Sequence, residues 1–178
     1  MLSKKAKYAL KALLFLAREE RRRPVLIADI AQKEAIPKKF LELILLDLKR
    51  HGILQSKKGK GGGYYLGKPP EQITFGQVIR ILDGPLAPLP CVSQTAYQKC
   101  EECKDELTCG IRLVMKEVRD ATARILDGTH LANVDRSVRA LEEAFTSTSR
   151  PPNVLAPPPS ETRRGSGGPK RKRPKETA

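Results

Sequence analysis

The four cysteines of this 178-residue chain all lie between positions 91 and 109, as Cys91, Cys100, Cys103 and Cys109. Thiols gathered in one segment commonly act together, because they ligate a metal ion, hold an iron–sulfur cluster or sense oxidants. The sequence shows no membrane-length apolar run and no cleavable leader, so we expect a cytoplasmic protein without a membrane partner. Disulfides are rare in that compartment. The cysteines are therefore predicted to be ligands or sensors.

Four thiolates suit a [2Fe–2S] or [4Fe–4S] cluster, and they also suit a tetrahedral zinc ion. Zinc is the weaker candidate, because zinc motifs usually pair two Cys-x-x-Cys knuckles and only Cys100 and Cys103 form one here. Two further interpretations stay open. The thiols act without metal, by thiol chemistry or through a protein partner, or they are unreactive residues on a loop.

The charge of the chain is concentrated at its two ends. Residues 1–70 contain 17 Lys and Arg against 6 Asp and Glu, a net charge of +11, whereas residues 71–149 carry −3 and residues 150–178 carry +6. An excess of +11 over seventy residues exceeds what solubility needs, and it favours a polyanionic partner. We therefore expect the N-terminal part to bind nucleic acid.

Residues 1–85 are predicted to form a winged helix–turn–helix domain. Apolar residues at helical spacing predict helices over about residues 4–18, 27–34 and 37–50, where Pro37 fits a first helical position and Gly52 a helix end. Two β-capable pieces, at about residues 53–56 and 64–66, flank a Lys- and Gly-rich run and predict a hairpin with a basic tip. Three helices followed by such a wing form a mainly α, DNA-binding fold.

The rest of the chain is predicted to contain three further segments. Residues 86–109 form a Cys-rich loop, which follows a short helix capped by Thr74 and is kept extended by Pro85, Pro88 and Pro90. Residues 110–146 form a long helix and a shorter C-terminal helix. Residues 147–178 are rich in Pro, Ser, Gly and basic residues, so we expect a disordered tail whose basic residues 170–173 add non-specific DNA affinity.

The long helix carries an apolar stripe at a spacing of three to four residues. A stripe of this length, after a small domain, favours pairing with the same helix of a second copy, and so predicts a homodimer. The alternative is that the stripe packs on its own domain. Its members are Ile111, Val114, Met115, Val118, Ala121, Thr122 and Ile125.

Several stretches together resemble the Rrf-type family of bacterial winged-helix regulators. They are AKYALKALLFLA, IADIAQKEAIPKKFLELILLDLKRHGIL and KKGKGGGYYLGKPPEQITFGQVIRILDGPLAP, followed by CVS. The resemblance covers about residues 2–134, and the GGGYYL wing with the P-P-E-x-I-T segment is its most specific part. It implies a homodimer on a palindromic double-stranded DNA operator, with each recognition helix in the major groove and each wing in the adjacent minor groove.

The resemblance also implies an iron–sulfur cluster near the dimerisation helix. Cluster-binding members hold it through a first cysteine and, after a gap, two cysteines separated by five residues. Cys91, Cys103 and Cys109 match that pattern. The positions of the family's known fourth ligands are Arg112 and Lys7 here, so neither familiar ligand is present. Either Cys100 is the fourth ligand, or the cluster keeps an open or exogenous one.

On the DNA side, Lys39 and Glu42 match family positions that touch bases, and Lys58 falls where family wings often carry a minor-groove Arg. Lysine can donate to guanine and glutamate can accept from cytosine N4, whereas Lys38 serves equally well as a phosphate contact. The predicted DNA-contacting residues are Lys38, Lys39, Glu42, Lys57, Lys58 and Lys60.

No catalytic constellation stands out in the sequence. There is no Ser/His/Asp set, and the Gly-rich run lies in a hairpin rather than before a helix, as a phosphate-binding loop would. We therefore do not expect an enzyme. The family resemblance implies a DNA-binding regulator that senses iron–sulfur, redox or nitric-oxide status. A cluster carrier or scaffold is the alternative from a different functional class.

Overall fold

The computed structural model describes residues 2–19 and 23–147, and its elements match the predicted winged helix–turn–helix. The predicted basic tail from residue 148 onwards, including residues 170–173, lies outside the described residues. Two 3₁₀ turns, Pro70–Gln72 and Pro90–Val92, join the main elements. These elements are α1 (Lys4–Arg18), α2 (Ile27–Lys33), α3 (Lys38–Arg50), β1 (Leu54–Lys57), β2 (Gly63–Leu66), α4 (Phe75–Asp83), α5 (Gly110–Gly128) and α6 (Leu131–Ser147).

One hydrophobic core lies beneath α1, which packs against α3, α4 and α6. Helix α1 begins at a true cap, because the Ser3 hydroxyl accepts a hydrogen bond from the Ala6 amide at 3.0 Å. Each fully buried Leu or Ile stabilises the fold by roughly 1.5–3 kcal/mol relative to an exposed one. The largest fully buried side chains include Leu13, Ile30, Leu41, Ile44, Leu45, Leu48, Ile53, Ile73, Val78 and Leu131.

The wing is fixed to the segment that precedes α2. Strands β1 and β2 pair antiparallel, with Leu54 opposite Leu66 and Lys57 opposite Gly63. The amide of Val25 then donates to the Tyr64 carbonyl at 2.9 Å, and the Tyr64 amide donates to the Val25 carbonyl at 2.8 Å. This bridge brings the two backbones so close that a Cβ on Gly63 would lie 2.2 Å from the Val25 carbonyl oxygen.

Replacing Gly63 with Ala should therefore detach the wing or destabilise the domain. The new methyl group meets backbone atoms of Val25, which cannot rotate away, and Gly63 has a φ of 151° that L-residues rarely adopt. Overpacking of this kind costs about 1–3 kcal/mol. Thermal unfolding should show the loss. Gly128→Ala, at a position where a Cβ meets open space, is the control and should leave the melting temperature almost unchanged.

Helix α5 is tied to α4 at its C-terminal end. The Arg80 guanidinium donates to both carboxylate oxygens of Asp127, at 2.5 and 2.8 Å, and this raises the pKa of Arg80 and lowers the pKa of Asp127. Gly76 lies beneath this pair, and a Cβ there would lie 2.0 Å from Asp127 Oδ1, so an alanine would displace the paired side chains. The chain after α5 returns to α4 through a bridge between Thr74 and His130.

Of two predictions about the second half of the chain, one is wrong and one is confirmed. The segment before the cysteines was predicted to stay extended, and this is wrong at Pro90–Val92, where one 3₁₀ turn forms with proline at its first position. Helix α4 does begin after Thr74, whose hydroxyl accepts from the Gln77 amide at 3.1 Å. Across the described ranges, none of the helices combines the length and the apolar character needed to cross a bilayer.

Candidate DNA-binding groove and cysteine site

The start of α3 and the wing line a single open groove. Lys38 and Glu42 face it from α3, and Lys57 and Lys58 face it from the wing. All four side chains are exposed, so they are free to contact a ligand. The groove forms because the Val25–Tyr64 bridge holds the wing beside α2 and α3. Lysines that converge from two elements create the positive surface that a phosphate backbone requires.

Two of the predicted contact residues lie outside this groove, and one unpredicted lysine lies in it. Lys39 is exposed on α3 and Lys60 is exposed at the wing tip, but neither lines the groove. Lys49, in the last turn of α3, does line it. Its position eleven residues after Lys38 and seven after Glu42 places all three on one face of the helix, a signal that the sequence already contained.

The cysteines occupy two different environments. Cys91 lies in the 3₁₀ turn Pro90–Val92 and is only 6% exposed, whereas Cys100, Cys103 and Cys109 are half-buried on the loop that leads into α5. The loop is held by a short network around Glu106. The Tyr97 hydroxyl donates to the Glu106 carboxylate at 2.9 Å, and the Arg112 guanidinium lies 3.6 Å from it.

Three of the four thiols interact with one another. Cys103 lies close enough to Cys109 and Cys100 for their thiols to influence its own, and the Cys103 amide donates to the Cys100 carbonyl at 3.4 Å. Cys109 is also the N-cap of α5, where its sulfur accepts from the Arg112 amide at 3.5 Å. The described ranges contain no group of three His, Cys, Asp or Glu side chains that is already arranged to hold a metal ion.

The pKa values of Cys103 and Cys109 are shifted in opposite directions. The Arg112 amide, and then the Cys103 thiol, donate to Cys109 and lower its pKa, because the start of a helix favours a thiolate. The hydrogen bond to Cys109, together with burial and the nearby Cys109 charge, raises the pKa of Cys103 to about 12. Of these two thiols, Cys109 is therefore the one that ionises first.

The donor set fits an iron–sulfur cluster or a soft metal ion better than a hard cation. Thiolate sulfur is the ligand of iron–sulfur clusters and of zinc, and Cys103 lies near both Cys100 and Cys109 here. Cys91 is buried on a turn that packs against α5. Because the described residues contain no group of three ligand side chains arranged for a metal ion, binding by all four cysteines would require the loop to rearrange.

Comparisons with a family profile and with known relatives point to the same family. The profile of the Rrf2 family, described as an iron-dependent transcriptional regulator, matches residues 2–136. An rrf2-like HTH-type transcriptional regulator of Rhodobacter capsulatus is 50% identical over 121 residues, which cover 66% of this chain and 81% of that protein. The HTH-type transcriptional regulator IscR of Aliivibrio salmonicida is 30% identical over 144 residues, which cover 80% of this chain and 82% of that protein.

A solved structure supports the same relationship. The structure of CymR, the global cysteine regulator of B. subtilis, superposes with a TM-score of 0.64 at 29% sequence identity. The match covers 77% of this chain and 97% of that one. The similarity therefore extends beyond the DNA-binding helices to most of the part of the chain that the structure describes.

Proposed function

Because the chain belongs to the Rrf2 family of transcriptional regulators, we propose that it is a dimeric DNA-binding regulator controlled by an iron–sulfur cluster on its cysteines. Its relatives are transcriptional regulators rather than enzymes. The proposed arrangement is a winged helix–turn–helix domain over residues 1–85, a cysteine loop over 86–109, dimerisation and C-terminal helices over 110–146, and a basic tail. A regulator of this kind acts in the cytoplasm, where bacterial DNA lies.

The observation that carries the DNA-binding proposal is the convergence of lysines in one groove. Lys38 and Lys49 of α3 face Lys57 and Lys58 of the wing, with Glu42 between them as the sole carboxylate among the residues lining the groove. In this proposal α3 enters the major groove and the wing contacts the adjacent minor groove. Glu42 and Lys39 are the residues proposed to read bases, and the other lysines, Lys60 included, neutralise phosphates.

A footprint on DNA tests this proposal. Nuclease protection on fragments that contain a candidate operator should reveal a palindrome whose half-sites lie about one helical turn apart, roughly 34–36 Å. A protein that protects every sequence equally would instead be an architectural DNA-binding protein or a cluster carrier with incidental affinity for DNA.

Lys58→Ala should weaken operator binding and make it less sensitive to salt. Each lysine that neutralises a phosphate releases about 0.9 counterion, so the slope of log K against log salt should fall by about 2 for a dimer. Titrations between roughly 50 and 200 mM salt measure this slope. Lys116→Ala removes the same charge from α5, at a residue that does not line the groove, and should leave the slope unchanged. Equal slopes for the two variants would contradict the wing assignment.

The exposed stripe on α5 supports the proposed homodimer. In the single chain Ile111, Val114, Val118 and Ile125 are 69%, 50%, 45% and 63% exposed, although α5 packs against α4 and the turn Pro90–Val92 through another of its faces. Apolar residues that stay exposed along a whole helix are a common sign of an interface. A second α5 would bury them.

The proposed cluster site consists of Cys91, Cys103 and Cys109, with Cys100 as fourth ligand. When bound, a [2Fe–2S] or [4Fe–4S] cluster would supply a group whose loss or oxidation reports iron, redox or nitric-oxide status. The protein itself would transmit the state of the cluster through the contacts between the cysteine segment and α5. Cys109 caps α5 and the Cys91 turn packs along α5, so both ends of the cysteine segment are joined to the proposed dimerisation helix. Helix α5 in turn contacts the DNA-binding domain through Arg80 and Asp127.

A second candidate mechanism is metal-free control by thiol chemistry. It is favoured by the proximity of the Cys103 and Cys109 thiols, which shift each other's pKa, and by the lowered pKa of Cys109. An external peroxide or disulfide would accept two electrons while Cys103 and Cys109 lose two protons and form one disulfide bond. The structural similarity to a cysteine regulator is compatible with this alternative, and so is control by zinc or by a protein partner. Iron and sulfide analysis separates these possibilities.

A further inference from the structure

Helix α3 exposes two leucines on the face that is proposed to enter the major groove. Leu43 is 60% exposed and Leu46 is 38% exposed. Neither belongs to the stripe that α3 packs into the core, whose fully buried members are Leu41, Ile44, Leu45 and Leu48. The remaining exposed residues of α3 are all charged, namely Lys38, Lys39, Glu42, Lys49 and Arg50. The two leucines therefore form an apolar spot within a charged surface.

The spacing of these leucines places them beside the two residues proposed to read bases. Leu43 follows Lys39 by four residues and Leu46 follows Glu42 by four, and residues four apart are neighbours on one helix face. With a rise of about 1.5 Å per residue, the stretch from Lys39 to Leu46 extends about 10 Å along the helix. Base pairs follow one another about every 3.4 Å along a duplex, so this stretch can span about three of them.

The charges around the leucines favour DNA over protein as the partner of this face. Four cations and one carboxylate lie exposed on α3 together with them. A second copy of the chain would bring the same positive surface against this one, and the repulsion would oppose that pairing. A duplex would instead offer phosphates to the cations. Among the base edges in its major groove, the 5-methyl group of thymine is the apolar feature that a leucine can bury.

We propose that Leu43, with Leu46 beside it, is a specificity-determining residue that packs against the 5-methyl group of a thymine in the operator. This proposal rests on the DNA-binding function proposed above and adds a base preference to it. Lys39 and Glu42 select bases by hydrogen bonds, whereas Leu43 selects by burial of a methyl group that the other three bases lack. Because Leu43 directly follows Glu42, each half-site should contain a thymine within one or two base pairs of the base that Glu42 contacts.

Replacing operator thymines with deoxyuridine tests this contact, because the change removes the methyl group and keeps the base pair. In an operator found by the footprint, each thymine is replaced in turn at both symmetric positions, and Kd is measured at a single salt concentration. Burial of one methyl group corresponds to about fourfold in affinity. We therefore expect Kd to rise about fifteenfold when the thymine beside Leu43 is changed in both half-sites.

Protein variants show whether Leu43 makes the contact. Leu43→Ala should bind the thymine operator more weakly, and deoxyuridine should then weaken it little further, since changes to the two partners of one contact are not additive. Leu43→Met keeps an apolar side chain and should retain most of the preference for thymine. Leu113→Ala removes a leucine of α5 that is 62% exposed, and it should keep the full wild-type preference. Because Leu43 lies outside the core, its variants should melt near the wild-type temperature.

The possible failures of this proposal and of the DNA-binding function can be told apart. Wild-type protein that binds its operator with the same Kd for thymine and deoxyuridine at every position would overturn this proposal alone. An equal preference for thymine in wild type and Leu43→Ala would do the same. Wild-type protein without a preferred operator would overturn both proposals. A Leu43→Ala variant with a lower mass in light scattering would assign the leucines to a contact between protein copies, which also contradicts the proposal.

Discussion

Changing Val118 to Glu is expected to convert the protein from a dimer to a monomer in solution. Val118 lies in the centre of the α5 stripe, and it is 45% exposed in the single chain. Pairing of two α5 helices would bury a carboxylate on each side of the interface, which costs several kcal/mol when the charge has no partner. Light scattering coupled to gel filtration measures the mass, and circular dichroism at 222 nm should show that helix content is kept.

The matched control places the same carboxylate elsewhere on the helix. Arg124→Glu changes an exposed residue of α5 that does not belong to the stripe, so this variant should remain a dimer. A Val118→Glu protein that keeps the mass of a dimer would show that the stripe is not the interface. Because each half-site needs one recognition helix, the monomeric variant should also lose most of its affinity for a palindrome.

Replacing Cys91, Cys103 or Cys109 with Ala should abolish the visible chromophore of anaerobically purified protein. Loss of one thiolate leaves an iron atom without its protein ligand, and a cluster held by the remaining cysteines would be labile. Cys109→Ala should remove a ligand and also weaken the start of α5, because the Cys109 sulfur caps this helix by accepting a hydrogen bond from the Arg112 amide. Absorbance together with iron and sulfide analysis, each expressed per monomer, measures the effect.

Two further variants make the cysteine experiment specific. Cys100→Ala should reduce the iron content as strongly as the other three if Cys100 is the fourth ligand, and should leave it unchanged if Cys100 is a bystander. Lys104→Ala changes an exposed residue beside Cys103 and should keep the full chromophore, which controls for disturbance of the loop. Iron and sulfide that persist in all three single variants of the expected ligands would contradict the assignment.

Local signals predicted the elements well, because helix caps, prolines and apolar spacing act over a few residues. Thr74 was predicted to be a cap, and its hydroxyl accepts the expected hydrogen bond. Contacts between distant residues gave no such signal. The Val25–Tyr64 bridge joins residues that are 39 positions apart, and the Arg80–Asp127 pair joins residues that are 47 positions apart. No local sequence pattern predicts either contact. These two contacts nevertheless orient the wing and α5.

In the cysteine segment, too, local spacing was informative, whereas long-range packing gave no signal in the sequence. Four thiols within nineteen residues predicted a shared site, and Cys100, Cys103 and Cys109 lie half-buried on one loop. Their spacing could not indicate that Cys91 would be buried in a separate turn while the others stay on the loop, since that depends on how the Pro90–Val92 turn packs against α5. The burial of Arg119 in α5 was not predicted either, because an arginine in a helix of mixed charge resembles an ordinary surface residue in the sequence.

The central claim is that a cysteine-bound cluster sets the affinity of this protein for its operator. The most direct measurement is operator affinity for one anaerobic preparation, before and after removal of the cluster, at a single salt concentration. We expect iron and sulfide in the preparation and a change in Kd of at least about tenfold, within the range typical of allosteric coupling. A preparation that contains neither iron nor sulfide, and whose DNA binding ignores all four cysteine substitutions, would contradict the claim.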